Sequence, residues 1–264
     1  MLEIKRITSR ENRRLVWARR IRDGREPDWI FIEGRRLVGE AIRSGVDIEE
    51  CFVVEEFGDK ELLAPLAKRG IDISELPGDL MRSVSATEQP QGIILIARRP
   101  SHGIIDLETD GFAIPIFVYL NEVNNPSNLG AVLRSVEASG AAGVFVSANS
   151  ADVYSPRALR ASMGAAFRLN IAGNTVLDDV ISMARKGGFA CIAVDASGGG
   201  SYLEVDWKQP HLLVFGSEAH GLSEDQLRAI GRSIRIPMEQ PVESLNLAVA
   251  AGIVLFEARR RQNL

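Results

Sequence analysis

The alternation of apolar and polar positions divides the chain into two similar halves. Between residues 26 and 100, β-rich apolar runs at Trp29–Ile32, Cys51–Val54, Ile71–Ile73 and Gly92–Ala97 alternate with helical periodicities near Arg35–Ser44 and Lys60–Arg69. This predicts a small α/β layer structure. Arg98–Gly103 then brings charge, proline and glycine together, which marks a linker at about 101–112. From 113 to 264 the alternation resumes with stronger signals. Strands are predicted at Ile116–Leu120, Gly143–Val146, Ala190–Val194, Leu212–Phe215 and Ile234–Ile236, each bounded by Gly, Asn or Pro as buried parallel strands are. Helices are predicted near 127–139, 156–164, 175–187, 223–230 and 244–261. The expected fold class is α/β, a C-terminal parallel-sheet domain with a smaller N-terminal α/β domain. Ligands of such sheets gather at the carboxyl ends of the strands, so the segments after Leu120, Val194, Phe215 and Ile236 are the places to search.

Composition narrows the class. A chain of 264 residues with 45% hydrophobic side chains can fill a real core, which excludes a disordered or collagen-like chain. The longest apolar run, Leu247–Phe256, is ten residues, against the roughly 20 that a membrane span requires, so no membrane partner is expected. The N-terminus is charged from Glu3 onward without the apolar stretch of a secretory signal, and a cytoplasmic location is expected. Cys51 and Cys191 lie outside any Cys-x-x-Cys pattern and read as small core residues, with no disulfide framework and no metal site.

The net charge of −4 conceals an asymmetry. Residues 1–25 hold nine basic side chains against Glu3, Glu11 and Asp23, a local +6, so the remainder carries −10. A basic helical arm on an acidic body suits a partner with a phosphate backbone, because each neutralised phosphate releases condensed counterions. Arg10, Arg13, Arg14, Arg19 and Arg20 are the candidate contacts. The same run is open to two other readings, a solvated helix face or an Arg-rich transit peptide, and Glu3 and Glu11 fit the second poorly.

Several chemistries lack their motifs. The chain has no P-loop, no Gly-x-Gly-x-x-Gly after a strand, no His-Glu-x-x-His and no Gly-x-Ser-x-Gly, and Ser197–Ser201 reads as a flexible glycine-rich loop. Three segments carry the signal instead. In Asn125–Arg134, a capping residue and Pro126 open a helix whose Leu129, Val132, Leu133 and Val136 form a buried stripe, and Arg134 points away from that stripe. In Leu212–Leu222, a buried strand ends at Gly216, where a ligand can approach the backbone, and Glu218 follows at the strand end. In the third, Ile236-Pro237-Met238 is followed by Ser244-Leu245-Asn246 at a helix start. There Ser244 or Glu243 can cap, and Ala248, Ala251 and Gly252 make a surface small enough for close packing.

In this order, the three segments resemble the three motifs of the SpoU (TrmH) family of RNA ribose 2'-O-methyltransferases, within the SPOUT superfamily. The resemblance covers about residues 112–262, and residues 28–100 more weakly resemble the substrate-binding domain of many rRNA-modifying members. Asn125 stands where Asp is frequent, and Ala219-His220 departs from the usual small or acidic pair. The resemblance implies S-adenosylmethionine as methyl donor with no metal, a deep trefoil knot, and an obligate homodimer acting on RNA. Arg134 is implied as the catalytic residue, with Asn128, Glu218, Ser244 and Asn246 around it. Val194, Gly216, Ile236, Met238 and Leu245 are implied as the donor site. Arg134 is open to two roles: a base, for which a guanidinium is poorly suited, or a bidentate clamp on the phosphate beside the target ribose. The N-terminal domain favours ribosomal RNA over transfer RNA. An antibiotic-resistance role, a non-catalytic RNA-binding protein and a small-molecule α/β enzyme are the alternatives. The small-residue surface at Ala248, Ala251 and Gly252 is expected at a two-fold contact, across which Arg134 of one subunit serves the donor pocket of the other.

Overall fold

A computed structural model describes residues 5–101 and 114–262. The first stretch contains β1 (Lys5–Arg6), α1 (Arg13–Arg22), β2 (Trp29–Glu33), α2 (Arg35–Arg43), β3 (Ile48–Val54), α3 (Lys60–Lys68), β4 (Asp72–Leu76), α4 (Gly78–Val84) and β5 (Ile93–Arg98). The second contains β6 (Ile116–Leu120), α5 (Pro126–Ser139), β7 (Gly143–Ser147), α6 (Pro156–Ser162), β8 (Ile171–Thr175), α7 (Leu177–Lys186) and β9 (Ala190–Val194). It continues with β10 (Gly200–Ser201), β11 (His211–Phe215), α8 (Glu224–Ile230), β12 (Ser233–Arg235) and α9 (Leu247–Gln262). The chain divides into two compact units, residues 5–101 with 153–168, and residues 114–152 with 169–262.

The first unit is a five-stranded sheet in the order β1-β4-β3-β5-β2, with β5 antiparallel to β2 and β3 and the remaining pairs parallel. Ile7, Leu15, Ala18 and Ile21 are buried with Phe31, Phe52 and Leu76 in one core. The basic segment 1–25, expected as an arm, is therefore, over its described residues, part of this unit, because the apolar side of α1 packs into it. The segment Val153–Arg168 also belongs here, so the expected continuous C-terminal domain 113–264 is interrupted. Tyr154, Ala158 and Leu159 are buried, and α6 packs on β2. Of the expected linker 101–112, only Ser101 falls within the described residues.

The second unit is a seven-stranded, all-parallel sheet in the order β10-β12-β9-β11-β6-β7-β8. Every residue of β6 and β11 is buried, as strands covered on both faces must be. Asn125 caps α5, its side chain accepting from the N–H groups of Ser127 and Asn128, with Pro126 in the first turn and Gly140 left-handed at φ 74° at the C-terminus. Helix α9 starts at Leu247, three residues later than expected. Its first turn is held by Asn246, whose Oδ1 accepts from Ala248 N–H at 2.9 Å, so neither Ser244 nor Glu243 is the cap. Ala251 is buried, Gly252 lies close to Ser135 of α5, and α5 and α9 pack together, so the close approach is made within this chain. Val249 and Phe256, seven residues apart along one side of α9, are about half exposed, at 50% and 49%.

Candidate functional site

The strand ends of β9, β11 and β12 and the start of α9 enclose a cavity of about 500 Å³. Two glycine positions let backbones meet beside it. A Cβ on Gly216 would lie 2.3 Å from the backbone carbon of Gly221, and one on Gly198 would lie 2.4 Å from that of Ile234. Neither neighbour can yield, since both are main chain. The turn after Gly216 is closed by paired backbone hydrogen bonds between Ser217 and Gly221, at 3.2 and 3.0 Å.

The apolar wall is formed by Val194, Phe215, Ile236, Met238 and Leu245, with the backbone of Gly216. The polar rim is a directed chain of hydrogen bonds. Ala248 N–H donates to Asn246 Oδ1, Asn246 Nδ2 donates to Asn128 Oδ1 at 3.0 Å, and Asn128 Nδ2 donates to Glu218 Oε1 at 3.1 Å. A backbone donor fixes the first amide, each amide orients the next, and the sequence ends on a carboxylate, which is the arrangement that determines which atom of each amide is which. Ser244 also lines the cavity. Sequence reasoning thus located nine of these residues: Asn128, Val194, Gly216, Glu218, Ile236, Met238, Ser244, Leu245 and Asn246. It missed Ala196, Phe215, Ser217, Ala219, Gly221, Leu247 and Ala250, whose only signal was adjacency to those motifs. Asp195 also lines the cavity, and its Oδ1 accepts from Ser197 N–H at 2.8 Å.

Arg134 is not brought to this cavity. It is exposed on α5 and, among the described residues, has no hydrogen-bond or ion-pair partner. The reason is helical geometry: six residues from Asn128 place it about 120° around α5 and about 9 Å along it. His220 is exposed in the turn, its N–H bonded to Ser217 Oγ.

The expected RNA contacts of the first segment are unevenly available. Arg14 Nε lies 2.5 Å from Oε1 of the buried Glu50, a charge contact without hydrogen-bond alignment, and Arg14 Nη2 is 3.5 Å from Asp72. Arg19 donates to the carbonyl of Arg10 at 2.6 Å, and Arg20 pairs with Glu26 at 2.7 Å. Arg10 and Arg13 are exposed and, among the described residues, their side chains have no partner. Burial pushes the Glu50 carboxyl up to about 7 even with Arg14 beside it.

No group of three or more His, Cys, Asp or Glu side chains positioned to hold a metal ion occurs among the described residues, and no described helix is long and apolar enough to cross a membrane. A cavity at the strand ends of an all-parallel sheet, with an apolar wall and a polar rim, is where α/β proteins hold compact organic ligands. Residues 115–256 match the SpoU rRNA Methylase family, and residues 31–102 match the domain described as RNA 2'-O ribose methyltransferase substrate binding. The chain belongs to the SpoU rRNA methylase family and is an RNA methyltransferase.

Among its relatives is an uncharacterized tRNA/rRNA methyltransferase of Mycolicibacterium gilvum, 33% identical over 246 residues that span 90% of this chain and 78% of the relative. The AdoMet-bound rRNA methyltransferase from Sinorhizobium meliloti superposes with a TM-score of 0.85 at 30% identity, over 97% of this chain and 98% of that one. A solved RNA 2'-O ribose methyltransferase gives 0.84 at 28% identity, over 98% and 100%.

Proposed function

We propose that this protein transfers the methyl group of S-adenosylmethionine to a ribose 2'-hydroxyl of RNA, with ribosomal RNA favoured over transfer RNA, and that it does so as a cytoplasmic homodimer. The single observation that carries the reading is the directed chain Asn246, Asn128, Glu218 on the rim of an apolar cavity at the strand ends. The cavity fits the donor in size and chemistry: about 500 Å³, with apolar side chains for a planar base and a carboxylate, Asp195, at a strand end where ribose hydroxyls are commonly bound. Val194, Gly216, Ile236, Met238 and Leu245 would hold it. When bound, the donor supplies an electrophilic methyl group on a positively charged sulfur.

The residues of this chain then have to position a weak nucleophile and remove its proton. Glu218 presents a carboxylate held by Asn128, and Ser244 and Asn246 complete the polar edge where the target ribose is seated. Arg134 acts as a clamp on the adjoining phosphate, where its planar fork can make two hydrogen bonds and stabilise charge as the proton leaves. Because Arg134 lies away from its own chain's cavity, it serves the cavity of a second copy. The half-exposed Val249 and Phe256 on α9, which packs on the helix bearing Arg134, offer the apolar surface for that two-fold contact. The deep trefoil knot belongs to the same reading. Its support is the close backbone passage at Gly198 and Gly216, where no side chain fits.

The test is methyl transfer from tritiated donor to total RNA from cells lacking the protein, followed by mapping of the modified nucleotide. Label at one 2'-O position of ribosomal RNA is the expected result. Label on a base, or on transfer RNA alone, would overturn the corresponding part of the reading.

A further inference from the structure

Two cavities open side by side in the first unit. The larger, about 780 Å³, is walled by Arg35, Arg36, Arg82 and Phe57. The smaller, about 280 Å³, is walled by Arg36, Arg160 and Met163. Arg36 and Gln91 line both. They meet at the N-terminal end of α2, where Gly34 turns the chain at φ 101° and Arg35 N–H donates to Gln91 Oε1 at 2.9 Å.

The arginines differ in how they are held. Arg35 is fixed, its guanidinium 4.8 Å above the Phe57 ring and 3.7 Å from Asp59. Arg36 and Arg82 are exposed, and among the described residues their side chains have no hydrogen-bond or ion-pair partner. Arg160 Nη1 is buried without any partner. A buried, unpaired guanidinium nitrogen is costly, and an anion in the cavity that Arg160 lines would offset that cost by neutralising the guanidinium as a whole, since Nη1 itself has no accessible surface. Besides Asp59 beside Arg35, the carboxylates that line the two cavities are Glu33 and Glu56. Both oxygens of Glu33 are already engaged, by Ser85 Oγ, Thr87 Oγ1 and Ala86 N–H, and Glu56 is exposed on a left-handed turn at φ 60°.

We infer that this double cavity is an RNA cleft that takes successive phosphodiester groups of a single strand, with Arg36 and Arg160 as the inner clamp and Arg82 as an outer contact. The inference rests on the RNA-methyltransferase reading. A single strand is favoured over a duplex because re-entrant cavities can receive sugars and bases that a duplex keeps stacked inside. The cleft is composite in sequence. Arg35, Arg36 and Arg82 lie within the matched substrate-binding stretch 31–102, whereas Arg160 comes from α6, inside the stretch 115–256 matched by the methylase family.

The experiment uses the full chain, a fluorescein-labelled single-stranded RNA of ~20 mixed nucleotides and its duplex, read by anisotropy across a salt series. Two lost contacts at roughly 0.7 each should flatten the slope of log affinity against log salt by about 1.4 for the single strand in Arg36→Ala/Arg160→Ala, and weaken low-salt binding at least tenfold. Arg228→Ala removes a surface guanidinium of the second unit that pairs with Glu224 and Asp225, and should leave the slope unchanged. Unaltered thermal unfolding and donor titration establish that the double variant is folded. If it is not, the exposed Arg82→Ala carries the test, with an expected flattening of about 0.7.

A folded double variant with the wild-type slope overturns the inference. So does tighter binding of the duplex than of the single strand, or stabilisation of the wild type by inorganic phosphate with no change in RNA slope, which would mark a free-anion site. Methyl transfer to total RNA is followed in parallel, where a raised KM with kcat retained at saturating RNA supports the cleft. A wild-type chain that binds RNA through Arg36 and Arg160 but transfers no methyl group overturns the methyltransferase reading and leaves the cleft standing.

Discussion

In the strand-end cavity of the second unit the polar side chains satisfy one another, Asn246 to Asn128 to Glu218. In the arginine-walled cleft of the first, Arg36, Arg82 and the inner nitrogen of Arg160 lack partners among the described residues. A rim whose donors and acceptors are already paired is pre-organised, and it admits a ligand whose own polar groups match the few that are left. Unpaired guanidiniums accept any phosphate backbone of suitable shape and respond strongly to salt. The contrast assigns selectivity for a small donor to the second unit and capture of a polyanion to the first. It also predicts that damage to each is read out differently, as lost chemistry in one and lost RNA affinity in the other.

The largest effect is expected at the residue that belongs to neither region of its own chain. Arg134→Ala should lower methyl transfer by about a thousand-fold, in the range found when a group that stabilises transition-state charge is removed. Donor binding by calorimetry should be unchanged. Arg134→Lys should fail as well, since a point charge lacks the planar fork. Mixing Arg134→Ala chains with Leu245→Glu chains, whose pocket is blocked, gives half mixed dimers with one intact site of two. About a quarter of wild-type activity should therefore return if sites are shared. A tandem-purified heterodimer that binds donor at one site and remains inactive would refute sharing.

Gly216→Ala should come next. The added methyl meets main chain at 2.3 Å, so the Ser217–Gly221 turn must move. Donor affinity should fall by a hundred-fold or more with RNA affinity retained, which calorimetry and anisotropy can separate. Asn128→Ala should be milder, about tenfold in kcat, because Glu218 keeps its charge but loses the amide that aims it. An equal loss of RNA binding in either variant would break the division of labour between the two regions.

Much of the second unit was legible because buried parallel strands read as short continuous apolar runs, and Ile116–Leu120 was delimited to the residue. The site motifs were legible for the same reason, since each follows such a strand. β8 was not anticipated: Ile171–Thr175 reads IAGNT, with two buried residues and two turn formers, and it pairs only at the sheet edge. The membership of α6 in the first unit was also invisible, because an apolar face does not say which core covers it. The arginines of α1 illustrate the limit of charge counting. Local charge was correct, yet Arg14, Arg19 and Arg20 are engaged by Glu50, a backbone carbonyl and Glu26, partners that sequence distance conceals in the first case and chain reversal in the others. The unpartnered arginines of the cleft lie on α2, α4 and α6, where no local run of charge drew attention to them.

The smallest expected effect sharpens the comparison through stability, since burial in the two units displaces Glu50 and His211 with opposite sign. Burial holds the Glu50 carboxyl at about 7 in the folded protein, above its ordinary 4.5, so the folded state retains the proton more tightly than the unfolded chain. The corresponding stability is complete below about pH 4.5 and is lost as pH rises through about 7. His211, buried at the start of β11 beside Trp207, is held down to about 4 from 6.5, mainly by burial, so the folded state refuses a proton that the unfolded chain accepts. Its stability is complete above about pH 6.5 and is lost as pH falls through about 4. Each displacement corresponds to on the order of 3 kcal/mol at full extent. Between pH 4.5 and 6.5 the two slopes oppose, and the wild-type unfolding midpoint in urea should vary little on their account. Glu50→Gln removes the falling limb and should make stability rise with pH across that window, whereas His211→Asn should make it fall. Measured by urea titration at half-unit pH steps, slopes of the same sign in the two variants would show that burial does not set these two groups against each other.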